Sequence, residues 1–193
     1  MKSGLPRSFY LILFVILIAG NISVYRTIFT PNVLKISVLE MDKKGSAVLV
    51  QNSGGTTILI NTGPDASILR ALGSEFPPWK RRIDVVLLTS ITTQTAGGLP
   101  EVLNRYHVST LIRSSTQGSR SLEASLAAAA DAEKGMHQIT ALFGERLALS
   151  RDVYITAISP DTFSISYGAT LFKISPTTPT GVYISDGNSI QKQ

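Results

Sequence analysis

The 193-residue sequence predicts a mixed α/β domain of layered sheets behind a separate apolar helix. Three observations lead there. Leu34–Glu40 (LKISVLE) alternates apolar and polar side chains at the period of a half-buried strand. Ile83–Leu88 (IDVVLL) is an almost unbroken apolar run, as in a strand covered on both faces. Ser8–Tyr25 contains no charged residue.

The N-terminal run is SFYLILFVILIAGNISVY. As a helix it would rise about 27 Å, close to the hydrocarbon thickness of a bilayer. Phe9, Tyr10 and Tyr25 fall at its ends, where aromatic rings favour the interface. The expectation is one transmembrane helix over residues 8–25. Residues 1–30 would then be a membrane anchor with short flanks and 31–193 the domain. A cleaved signal peptide is the rival reading, leaving a secreted domain. It needs small residues at the −3 and −1 positions, yet Ala19 has Leu17 two residues before it and Gly20 has Ile18. Lys2 and Arg7 precede the run and Arg26 follows it. The positive-inside rule therefore favours a cytoplasmic N-terminus and a domain on the outer face.

Beyond residue 33, strand and helix signals alternate. Ala47–Gln51 and Thr57–Ile60 are β-rich and flank a hairpin turn at Asn52-Ser53-Gly54-Gly55. Asp65 is placed to cap a helix over Ala66–Leu72 that Gly73 closes. Gly97–Tyr106 reads as a helix, with Gly97 and Gly98 in the tight turn that enters it, and Ser109–Ile112 as the next strand. Ser121–Lys134 is Ala-rich, with Gly135 as its stop. Val153–Ile158, Thr162–Ser166, Thr170–Ile174 and Val182–Ser185 are short strands. Lys43-Lys44-Gly45 reads as a turn.

Composition narrows the chemistry. There is no cysteine, which excludes disulfides, zinc ribbons, thiol nucleophiles and iron–sulfur clusters. Only two histidines, His107 and His137, are present, and neither has a ligand-type partner at i+2, i+3 or i+4. Both read as surface or loop residues. Three of the 18 basic residues and none of the 13 acidic ones fall in residues 1–30, so the remainder carries only +2 of the net +5. Net charge is thus weak evidence for nucleic-acid binding.

Two segments carry a family resemblance. ILINTGPDASILRALG (58–73) and RRIDVVLLTSITTQTAGGLPEVLNRY (81–106) resemble, in order and without a gap, the C-terminal metallo-β-lactamase-like domain of ComEC-type DNA-uptake (competence) proteins. Gly144–Leu149 and Tyr167–Ile174 are similar to its second hairpin region, so the resemblance covers about residues 34–175. It implies a metallo-β-lactamase-like αββα sandwich, and a hydrolase whose metal is held after the strand of the second segment. The family places there a His, an acidic or His ligand two residues on, then an Asp-His pair. The corresponding residues here are Ser90, Thr92, Gln94 and Thr95. The Asp of the earlier turn is Asn61, and the bridging Asp falls near Thr177. Hydroxyl and amide oxygens are poor zinc ligands. The downstream His-rich segment has no counterpart, and Pro179 runs into VYISDGNS, so the C-terminal end of the fold is expected to be truncated.

These observations predict a membrane-anchored, catalytically inactive relative of the fold. It would act as a binding or structural module at the cell envelope, related by resemblance to DNA uptake. No catalytic residue, metal or cofactor is expected; a protein partner or DNA is. Two alternatives stay open. One is a metal-dependent hydrolase with an unconventional or partner-completed site. The other is a single-stranded nucleic-acid-binding module using Lys80, Arg81 and Arg82 beside Trp79, residues that read equally as a solvated turn. Ser90 as a nucleophile would need a base that no histidine is placed to supply.

Overall fold

The computed structural model describes residues 7–29, 33–41, 45, 47–115, 118–133, 135–150, 152–159 and 162–193, with the backbone alone at 7 and 22–29. The turn expected at Lys43-Lys44 lies outside the described residues, as do Lys2 and the side chains of Arg7 and Arg26. The chain forms two compact units, Met1–Asn32 and Val33–Gln193.

In the first unit, α1 runs Arg7–Phe29. Its large apolar side chains from Phe9 to Ile18 are all exposed. Among the described residues, no helix is long and apolar enough to cross a membrane. The transmembrane helix expected over 8–25 is therefore not found among them.

In the second unit, strands β1 (Leu34–Val38), β2 (Val48–Asn52) and β3 (Thr57–Ile60) form an antiparallel meander. Strands β4 (Arg82–Leu88), β5 (His107–Ser114) and β6 (His137–Ala141) then add parallel to β3 and to one another. Helices α2 (Ser67–Glu75), α3 (Thr93–Ala96), α4 (Leu99–Arg105) and α5 (Arg120–Ala132) fill the connections. Strands β7 (Arg146–Ala148), β8 (Val153–Ser159), β9 (Thr162–Tyr167) and β10 (Thr170–Ile174) make a second, antiparallel sheet. Strands β11 (Gly181–Ser185) and β12 (Ile190–Lys192) return to the first, whose order is β12-β11-β1-β2-β3-β4-β5-β6.

Strand alternation sorts the core into two layers. Leu49, Leu59, Val86 and Leu88 of the large sheet pack against Ile68 and Leu72 of α2, Leu99 and Val102 of α4 and Leu126 of α5. Val48, Val50, Ile58, Ile60, Val85 and Leu87 face the other way, onto Ile155, Phe163 and Ile165 of the small sheet. β4 is covered on both faces, which is why its sequence is apolar without alternation.

The described layers are helix, sheet and sheet. The outer helical layer of an αββα sandwich is missing among the described residues, and the outer face of the small sheet presents Leu171, Lys173, Tyr154 and Thr156. Other expectations are corrected in detail. Gly73 does not end α2, which continues to Glu75 and stops at Phe76, where Pro77 forces its predecessor out of the helical region. The helix expected over Gly97–Tyr106 is α4, Leu99–Arg105, and a short helix that was not expected, α3, precedes it. α3 starts earlier on a Thr92–Thr95 capping box, and Gly98 caps α4. Strands β6 and β12 were not expected. They are edge strands with mostly exposed side chains, so no apolar period marks them, while β7 falls within the expected Gly144–Leu149 hairpin segment.

Candidate functional site

The loop after β4 is where the resemblance places metal ligands. Two parallel strands, β3 and β4, end side by side and turn there. Asn61 follows β3 with a left-handed backbone, φ 59°. Its side-chain oxygen accepts from the Thr89 N–H at 2.9 Å and the Thr89 hydroxyl at 3.0 Å, joining the two strand ends. Thr62 donates its N–H to the Thr95 carbonyl at 2.7 Å. Gly97 and Gly98 allow the two turns to touch: a Cβ at Gly97 would lie 2.2 Å from the Pro64 carbonyl oxygen, and one at Gly98 2.4 Å from that of Thr62.

The Thr95 hydroxyl is the hub of this loop. It donates to the Ser90 carbonyl at 2.7 Å. With its proton used there, it accepts from the hydroxyl of Thr92 at 2.9 Å and that of Ser90 at 3.2 Å. A hydroxyl has one proton and two lone pairs, and all three are then engaged. The Thr92 N–H adds a longer contact at 3.3 Å. Ser90, Thr95, Asn61 and Thr89 are buried.

This arrangement does not fit zinc or manganese. The metal needs anionic or imidazole donors with free lone pairs converging on a point. Here the donors are neutral, and they converge on one another. Gln94 is exposed, and the Thr177 hydroxyl is paired with that of Ser175 at 2.9 Å. Among the described residues no three His, Asp or Glu come together. His107 opens β5 opposite Arg82, and its Nδ1 contacts the Glu133 carboxylate at the end of α5. His137 opens β6 opposite Thr110, further along β5, so the two rings share no site.

Beside the loop lies a groove of about 460 Å³. Leu39, Val48 and Ile174 supply its apolar wall, and Gln94, Thr95 and Thr178 its polar rim. None of its described lining residues is ionisable. Of the six positions matched to family ligands, only Gln94 and Thr95 reach it. The part played by Thr62, Thr89 and Thr178 was not anticipated. The hydroxyl-rich run TSITTQT was the available signal, but it does not show which oxygen sits at the centre.

The basic turn is partly engaged. Lys80 Nζ donates to the Thr57 hydroxyl and sits 5.1 Å from the centre of the Phe76 ring. Arg82 Nε donates to Asp84 at 3.1 Å, whose other oxygen accepts from the Thr57 N–H at 2.9 Å. Arg81 and Trp79 are exposed. The structure does not gather Lys80, Arg81 and Arg82 into one outward-facing patch.

Comparison with solved structures shows the fold. Zn²⁺-bound PqqB from Methylobacterium extorquens matches with a TM-score of 0.51 and 20% identity over 66% of this chain and 47% of its own. A metallo-β-lactamase from Cronobacter sakazakii matches at TM-score 0.46 and 16% identity, over 70% of this chain and 54% of its own. The subclass B3 metallo-β-lactamase MEM-A1, from a soil metagenome library, gives 0.43 and 17%, over 73% and 56%. The chain spans about half the length of these proteins. No protein-family model and no curated protein matches. The chain therefore shares the mixed α/β fold of PqqB.

Proposed function

We propose that this chain is a non-hydrolytic member of the metallo-β-lactamase fold, a binding or structural module. The observation that carries the reading is the Thr95 hydroxyl. It spends its proton and both lone pairs on its own loop, at the position where the resemblance expects a metal-binding histidine. A fold does not bring its chemistry without the site. The adjoining groove, with apolar walls and a neutral rim, suits an uncharged ligand or an extended peptide segment. The charge-free run over residues 8–25 supports an anchor that holds the module at the cell envelope with the domain on the outer face. The connection with DNA uptake rests on the sequence resemblance over about residues 34–175 alone.

Elemental analysis of the purified full chain tests this. Zinc and manganese should both be far below one per chain, with no hydrolysis of a phosphodiester or a β-lactam. Stoichiometric metal that is lost on His107→Ala or His137→Ala would replace the proposal with an unconventional hydrolase site.

A further inference from the structure

A strand at the edge of a sheet offers unpaired main-chain groups to any other strand, and proteins guard such edges with charge, proline or brevity. The described sheets end in β12 and β6, and in β10 and β7. Three of these edges are guarded. β12 carries Lys192, β10 carries Lys173, and β7 carries Arg146. β12 and β7 are also only 3 residues long. β6 is different: its 5 residues, HQITA, include no Lys, Arg, Asp, Glu or Pro. The run free of those residues extends from Gly135 to Gly144.

The backbone shows what this edge presents. The Ala141 carbonyl accepts from the Ser115 N–H at 3.0 Å, so it points towards β5. Main-chain groups alternate sides along a strand, so those of Gln138 and Thr140 point away from β5. The next outward group, the Leu142 N–H, is taken by the Glu145 carboxylate at 3.1 Å, which closes the open stretch. Ile139 is 48% exposed, Leu142 64% and Phe143 38%. Ile158, also half exposed, follows Ala157, whose carbonyl bonds the Gly144 N–H at 2.8 Å.

We propose that β6 pairs antiparallel with β6 of a second copy of this chain, about a two-fold axis through Ile139. In that register Gln138 lies opposite Thr140 of the second copy, and the two exchange both main-chain hydrogen bonds. The two-fold axis repeats the exchange, and the same patch serves both copies. Ile139 meets its own copy as the non-hydrogen-bonded pair, where side chains approach closest. No charged residue within β6 meets a like charge, so nothing in the strand opposes self-pairing. The register is selected by Glu145. An axis on Thr140 would set Gln138 against Leu142, whose N–H is already taken. The two large sheets become one continuous sheet, with Ile139, Leu142 and Phe143 gathered along the join.

The absence of cysteine makes the test clean. In the full chain, Ile139→Cys places two thiols on the axis, with Cβ atoms about 4.5–5.5 Å apart before relaxation. Mild oxidation should link this variant into dimers at least about 10-fold faster than Leu171→Cys, an exposed position on a guarded edge. Adding Thr140→Pro removes an outward N–H and leaves the ladder to β5 intact, which an edge strand tolerates. It should cut the cross-linking at least about 10-fold with thermal unfolding little changed. Equal cross-linking of the two cysteine variants, or cross-linking that survives Thr140→Pro in folded protein, overturns the proposal. Ile139→Lys gives a separate check by setting two cations on the axis. It should halve the mass seen by light scattering, and an unchanged mass, dimeric or monomeric, sinks the idea.

Discussion

Strand β4 begins in a turn and ends in a loop, and the two ends handle polar residues in opposite ways. At its start, Trp79 and Arg81 are exposed to water, while Lys80 meets the Thr57 hydroxyl and the Phe76 ring and Arg82 meets Asp84 close to the surface. At its end, Thr89, Ser90 and Thr95 are buried and hydrogen-bonded. The difference shows where side-chain chemistry is constrained. A charged turn in water can lose a group cheaply, because water replaces the partner. A buried hydroxyl cluster cannot, because each lost partner strands another polar group.

The comparison can be broken most directly at Thr95. Thr95→Val keeps the shape and removes the hub, stranding the Ser90 carbonyl and two hydroxyls. Urea unfolding should show a loss of about 2–3 kcal/mol. A loss near zero would mean that the loop does not depend on its hub. Asn61→Ala comes next. It removes the acceptor for Thr89 and puts at φ 59° a residue without the polar side chain that lets Asn adopt a left-handed backbone, so the expected loss is about 2 kcal/mol. Asn61→Gly, which restores the backbone freedom alone, should recover part of it. At the other end of the strand, Lys80→Ala should cost about 1 kcal/mol, through Thr57 and the Phe76 ring. Arg81→Ala should change stability by less than about 0.5 kcal/mol. If Arg81→Ala plus Arg82→Ala weakens a salt-dependent binding to single-stranded DNA, the turn has a role that its stability does not reveal.

The smallest effect concerns acid. Asp186 accepts the N–H groups of Ser189 at 2.7 Å and Asn188 at 2.8 Å, which hold its carboxyl below the usual aspartate value. A group whose folded value is depressed adds stability above its unfolded value and loses it as pH falls. Asp186→Asn should therefore flatten the acid limb of a stability–pH profile below about pH 4 and leave the neutral region unchanged. An acid limb identical to that of the wild type would show that the turn contributes no pH dependence.

Legibility in the sequence followed burial. β1, β2, β3 and β4 could be read because a sheet face or two faces had to be apolar. β6 could not, because an edge strand exposed on both faces imposes no period; His137–Thr140 is exposed throughout. The end of α2 was misread because Gly73 stands in open space on that helix, where it costs little, and the true stop is set by the prolines after Phe76. The positions of the candidate site were legible, since an ungapped block fixed Ser90 to Thr95. The partners were not. Five hydroxyl residues within seven positions (Thr89–Thr95) allow many pairings, and only the turn geometry selects Thr95 as the centre. Likewise, nothing in Trp79-Lys80-Arg81-Arg82 indicates that Lys80 turns back to Thr57.

The position of β1 also sets an order of assembly. Its neighbours are β2, made directly after it, and β11, whose Ser185 pairs with Leu34. As a chain is synthesised from its N-terminus, one side of β1 stays unmatched while helices α2 to α5 and the whole small sheet are being made. Pairing across so long a separation is slow, because the intervening loop must close before any contact rewards it. The large sheet therefore closes only after the ribosome has passed Ser185, and until then the nascent chain carries an open β1 edge that a chaperone or a neighbouring strand can occupy.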